Sequence, residues 1–94
     1  MERLNGFYAQ ENAILIDVRQ PDEFEKGHIP GARSVPLQKL RDFSEEITDK
    51  DTPVYVYCLS GGRSARAVRA LRGVGFTAVT DLGGIKTYTG QLEK

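Results

Sequence analysis

One cysteine and one histidine are all the soft metal-binding chemistry in this 94-residue chain. A single thiol excludes an internal disulfide and a Cys-x-x-Cys pair, and one imidazole does not complete a set of zinc ligands. Net charge is missing too. The 13 lysines and arginines balance 13 aspartates and glutamates, so no long-range field recruits nucleic acid or an anionic membrane. Long apolar runs are also lacking: the uncharged stretches fall far short of the roughly 18 residues a membrane span requires. Met1-Glu2-Arg3-Leu4-Asn5-Gly6 holds no apolar signal core. These absences make a cytoplasmic protein in a reducing compartment the expectation, with one domain over residues 1–94 and neither metal nor organic cofactor.

What is present concentrates around the lone thiol. Cys58 ends the apolar run Pro53-Val54-Tyr55-Val56-Tyr57 and opens a glycine-rich loop, Leu59-Ser60-Gly61-Gly62-Arg63, with a helical pattern departing at Ser64. A buried strand, a glycine loop and a helix start together form an anion cradle, because successive backbone N–H groups face one concavity and the helix dipole adds positive potential. A thiol placed there is expected to ionise readily and to act as a nucleophile.

Three apolar runs read as strands: Ala13 to Val18, Val54 to Tyr57, and Ala78 to Leu82, with Val35 and its neighbours as a shorter fourth. Helical patterns alternate with them. Pro21 to Lys26 has proline at its first position, acids in its first turn and Gly27 at its end. Leu37 to Ile47 and Ser64 to Leu71 carry apolar residues at helical spacing, the latter with Ala65, Val68 and Leu71 on one side. The alternation predicts an α/β fold with a small parallel sheet covered by helices on both faces, and ligands in such sheets bind at the carboxyl ends of the strands. Cys58 stands at one such end, Asp17 and Arg19 near another. The first few residues and Gln91 to Lys94 are expected to be loose.

Several stretches resemble the rhodanese homology domain, the fold of thiosulfate and persulfide sulfurtransferases. Ile16-Asp17-Val18-Arg19, Glu23-Phe24 and Gly27-His28-Ile29-Pro30-Gly31-Ala32 are similar to that family's first signature. Cys58 to Ser64 matches its Cys-x-x-Gly-x-Arg loop, and Asp81-Leu82-Gly83-Gly84-Ile85 its C-terminal segment. Two departures stand out: the position after the Gly-Gly pair where the family often has tryptophan is filled by Tyr88, and the stretch before Ala13 is short. The resemblance implies a three-layer fold in which Cys58 takes a sulfane sulfur from an anionic donor, becomes a persulfide, and passes the sulfur to an acceptor such as cyanide or a thiol. With no second cysteine the acceptor is external. Protein tyrosine phosphatases, and the cell-cycle phosphatases that share this fold, carry one more residue between cysteine and arginine, and the shorter loop here favours sulfur over phosphate. A persulfide-delivery module serving a partner oxidoreductase or desulfurase is the other reading, with phosphatase or arsenate reductase chemistry third.

Within that frame the amides of Leu59, Ser60, Gly61, Gly62 and Arg63 are the expected cradle, with the two glycines permitting positive φ and close approach to sulfur. Arg63 is the expected contact for an anionic donor. Ser60 and Ser64 are candidate hydroxyl donors to the persulfide; for Ser64 a helix cap is the favoured reading, and Ser60 stays open. Asp17 and Arg19 read as supporting residues, Asp17 accepting loop N–H bonds and Arg19 pairing with Glu23. His28 reads as a turn residue and not a base. Arg66, Arg69 and Arg72 read as a solvated face, or as a docking patch for an acidic partner. Tyr55 and Tyr57 read as sheet packing.

Overall fold

A computed structural model describes residues 1–94. Four strands, β1 (Ile14–Asp17), β2 (Arg33–Ser34), β3 (Val54–Cys58) and β4 (Val79–Gly84), form one sheet in the order β2-β1-β3-β4, every neighbouring pair parallel. The helices are α1 (Leu4–Tyr8), α2 (Pro21–Lys26), α3 (Leu40–Glu46) and α4 (Gly62–Gly73), with 3-10 turns at Leu37–Lys39 and Ile85–Thr87. The expected alternation is therefore realised. β3 is buried along its whole length, as a strand flanked on both edges and covered on both faces requires.

Two apolar clusters fill the two faces. Ile16, Val54 and Val56 point with Cys58 toward Leu40, Phe43, Ala67, Val68 and Leu71, so α3 and α4 cover one side. Leu15, Tyr55 and Tyr57 point the other way, toward Leu4, Ile29 and Leu82, with Phe7 and Tyr88 packed around them. Period-two alternation along β1 and β3 sorts these side chains between the layers.

Several sequence expectations shift. The N-terminus is not loose: α1 buries Leu4 in the second cluster. The C-terminus is held as well, since the His28 N–H donates to the Glu93 carbonyl at 2.9 Å and the Glu93 N–H returns a bond to the His28 carbonyl at 2.8 Å. The helix expected from Leu37 divides into a 3-10 turn and α3. α4 starts at Gly62, two residues before the expected start, and buries Ser64, Ala67, Val68 and Leu71 while Ala65 faces solvent. That rotation places Ser64 inside the helix, against the sheet.

Candidate active site

The turn from β3 into α4 is set by glycines. Gly61 adopts φ +109°, a left-handed conformation that side-chain-bearing residues rarely take. It reverses the chain so that its own N–H donates to the Cys58 Sγ at 3.0 Å. Gly62 is helical and not left-handed, so the expected positive φ holds for Gly61 alone. A third glycine controls the loop from outside: a Cβ on Gly84 would lie 2.5 Å from the Leu59 carbonyl oxygen and 2.8 Å from the Ser60 Cα. β4 thus approaches the loop as closely as backbone allows, its Gly84 in register with Cys58.

Cys58 is buried, at 1 % exposure, with the exposed Leu59 and Ser60 above it. Burial is the largest influence on its thiol and opposes ionisation. The Ser64 hydroxyl and the amides of Ser64, Gly61 and Ser60 together outweigh it, and the thiol falls below its ordinary value of 9.0. Ser64 is not the cap expected from sequence, because the cap position belongs to Gly61. Its hydroxyl lies 3.5 Å from Cys58 Sγ and donates to the Gly61 carbonyl at 3.1 Å. A thiol donates to that oxygen; a thiolate accepts from it once the hydroxyl rotates.

Asp17 and Arg19 form a buried pair. The Arg19 Nη2 meets Asp17 Oδ2 at 2.7 Å and its Nε bridges both carboxylate oxygens at 3.0 Å, while the Arg19 N–H donates to Asp17 Oδ1 at 2.9 Å. A further bond from Nη2 to the Gly27 carbonyl, 2.8 Å, ties the pair to the Gly27–Ala32 turn. Tyr57, behind Cys58 on β3, lies under the Arg19 guanidinium at 5.8 Å and accepts the Ile29 N–H at 3.1 Å. Burial pushes its phenol well above the ordinary range and keeps it protonated.

The expected Arg19–Glu23 pair does not form; Arg19 is committed to Asp17 and the Gly27 carbonyl. Glu23 turns to the active loop instead, accepting from Arg63 Nη1 at 2.8 Å and Nη2 at 3.2 Å. The side-chain hydrogen bond from Arg63 holds the Glu23 carboxyl down at about 2. Arg63 is thus paired with Glu23, a partnership with no spacing signal in the sequence because 40 residues separate the two. His28 stacks its ring on Phe24 at 3.8 Å and takes part in the backbone bridge to Glu93. Ser60 is exposed and its amide is among those that stabilise the thiolate. Arg66 and Arg69 are exposed, and Arg72 donates to the Val79 carbonyl at 3.1 Å. No group of three or more His, Cys, Asp or Glu side chains is placed to hold a metal ion, and no helix is long and apolar enough to cross a membrane.

The family model for the rhodanese-like domain matches residues 2–91. The chain is 51% identical over 83 residues to YqhL, an uncharacterized protein of Bacillus subtilis, covering 86% of this chain and 64% of that protein, slightly under two thirds of its length. It is 36% identical over 72 residues to the thiosulfate sulfurtransferase PspE of Escherichia coli, covering 76% of this chain and 69% of that one. A solved structure described as a rhodanese with anions from E. coli superposes with a TM-score of 0.79 at 32% identity, covering 87% of this chain and 98% of its own. With the model match spanning nearly the whole length and the same architecture in solved relatives, this chain belongs to the rhodanese-like domain family.

Proposed function

We propose that this protein is a sulfurtransferase that moves sulfane sulfur from a thiosulfate or persulfide donor to an external nucleophile through a Cys58 persulfide. The observation that carries this reading is the Gly61 N–H aimed at Cys58 Sγ at 3.0 Å, with Ser64 Oγ 3.5 Å from the same sulfur. Those donors favour the thiolate that must attack, without a neighbouring base. The same donors suit the persulfide, which is also anionic, and the single cysteine leaves discharge to an outside thiol or cyanide. In this reading the turn from Leu59 to Arg63 forms the cradle, with the amides of Ser60, Gly61 and Ser64 facing the sulfur; Asp17 and Arg19 hold the neighbouring strand end and turn in register. With Cys58 at 1 % exposure, the sulfur is shielded from bulk water.

Incubation with thiosulfate, or with cysteine persulfide, followed by intact-mass measurement is expected to show one added sulfur atom that cyanide removes and that never appears in Cys58→Ser. A protein left unmodified by both donors refutes the reading, and hydrolysis of an aryl phosphate abolished by the same substitution replaces it with phosphatase chemistry. A delivery module with slow turnover is the second reading, favoured by the pairing of Arg63 with Glu23: the loop's one cation is already neutralised. Loading from a persulfide-bearing protein that far outpaces loading from thiosulfate would support it.

A further inference from the structure

The cation nearest to the thiol along the chain is Arg63, and its charge is already paired. Nη1 and Nη2 each donate to a different oxygen of Glu23, at 2.8 and 3.2 Å, the two-point geometry in which arginine binds carboxylate most strongly. Glu23 is itself anchored, because its Oε1 accepts the Gln20 N–H at 2.9 Å and its helix begins at the rigid Pro21. The carboxylate is therefore an anchored partner on the guanidinium that an anionic donor would use. Arg19 offers no substitute, being buried and committed to Asp17 and to the Gly27 carbonyl. Arg66, the next arginine on α4, lines the open groove with Leu37, Leu40 and Ala70, between α3 and α4.

Thiosulfate carries two negative charges, and the guanidinium beside the loop that its sulfonate end would meet is already neutralised by Glu23. An alkyl persulfide, R–S–SH, carries no sulfonate and needs no such partner. Resting on the reading of Cys58 as the sulfur acceptor, we propose that Glu23 is a specificity-determining positioning residue: by holding Arg63 it selects against dianionic thiosulfate and directs the site to alkyl persulfide donors. In the favoured step the Cys58 thiolate attacks the outer sulfur of R–S–SH. The new S–S bond forms as the old one breaks, the bonding pair leaves on R–S⁻, and the proton stays on the transferred sulfur. No oxidant is consumed. Thiosulfate undergoes the same displacement with sulfite as leaving group.

The test compares single-turnover loading of the whole chain by thiosulfate and by cysteine persulfide, read by intact mass. Glu23→Gln keeps an oxygen to accept the Gln20 N–H but surrenders the charge that holds Arg63. The thiosulfate-to-persulfide rate ratio is expected to rise about tenfold, the scale of one rim charge removed from the path of a like-charged ligand. The rise should vanish in Glu23→Gln/Arg63→Met, since the freed guanidinium is what receives the sulfonate. A purely structural role for Glu23 would slow both donors and leave the ratio alone. An unchanged or lower ratio in the single variant, or a rise that survives in the double variant, overturns the proposal. A second measurement needs no variant: at constant ionic strength sulfate should leave loading of the wild-type protein by cysteine persulfide unaffected, and competitive inhibition by sulfate would show Arg63 open to dianions. Failure of both donors to load the wild-type protein strikes at Cys58 as acceptor, whereas loading with an unaltered ratio strikes at Glu23 alone.

Discussion

At the scale of single residues the chemistry is a contest between burial and hydrogen bonding at one sulfur. Enclosure in the α3–α4 layer disfavours charge on Cys58; three amides and one hydroxyl favour it and prevail. Ser64 is the member of that set a substitution can remove. Ser64→Ala is expected to move the ionisation of Cys58 upward and to slow alkylation by iodoacetamide at neutral pH by about three- to tenfold, the scale of one typical hydrogen bond. The sign follows from the thiolate being the reactive form: reactivity grows as pH rises through the thiol's own titration, so raising that titration cuts the reactive fraction at neutral pH and little above it. A pH profile of the alkylation rate for both proteins checks this, and superimposable profiles would remove Ser64 from the cradle. Both roles for Ser64 were visible in the sequence, but the choice between them was not, because a shift of two positions in the start of α4 turns the same hydroxyl from a cap to a contact with sulfur.

At the scale of elements, the loop is shaped by its neighbours as much as by its own glycines. β4 reaches its register with β3 through an irregularity at Val56/Tyr57, which brings Gly83 opposite Tyr57 and Gly84 opposite Cys58. There the absence of a side chain lets the Leu59 carbonyl sit against the strand. Gly84→Ala inserts a methyl between two stretches of backbone that cannot rotate away, and is expected to destabilise the fold by about 1–3 kcal/mol. It should also displace Leu59 and Ser60 and slow alkylation of Cys58. Urea denaturation and iodoacetamide kinetics on the same variant test both parts; a variant as stable and as reactive as the parent would show that the strand yields. α2 acts on the loop through the Glu23–Arg63 pair, so two elements remote in sequence confine one short turn.

At the scale of the whole molecule the sheet separates two apolar layers with different duties. The layer under α3 and α4 includes Cys58 itself, while the layer holding Leu4, Leu15, Ile29, Tyr55 and Tyr57 does not. Leu4→Ala removes the buried anchor of α1 and is expected to cost about 2–3 kcal/mol. The loop lies against the opposite layer, so the alkylation rate of Cys58 in the folded protein should stay within about twofold, an independence expected of distant sites. Thermal denaturation with parallel thiol kinetics distinguishes this from a fold in which the two layers are coupled, where reactivity would change along with stability.

The alternation of apolar runs with helical patterns made the parallel sheet legible, because hydrophobic periodicity is a local property of the chain. The position of Cys58 at a strand end before a glycine loop was legible for the same reason, and so was the left-handed turn at Gly61. The choice of partners was not. Asp17, two residues from Arg19, captured the cation that Glu23 was expected to hold, and Glu23 then met Arg63 across 40 residues. Leu4 and Glu93, near ends that read as loose, found a core and a backbone bridge only once the sheet had brought the second layer and the His28 turn into place. Ion pairs, terminal contacts and the rotation of α4 depend on distances between segments far apart in the chain, and only the packed tertiary structure decided those distances.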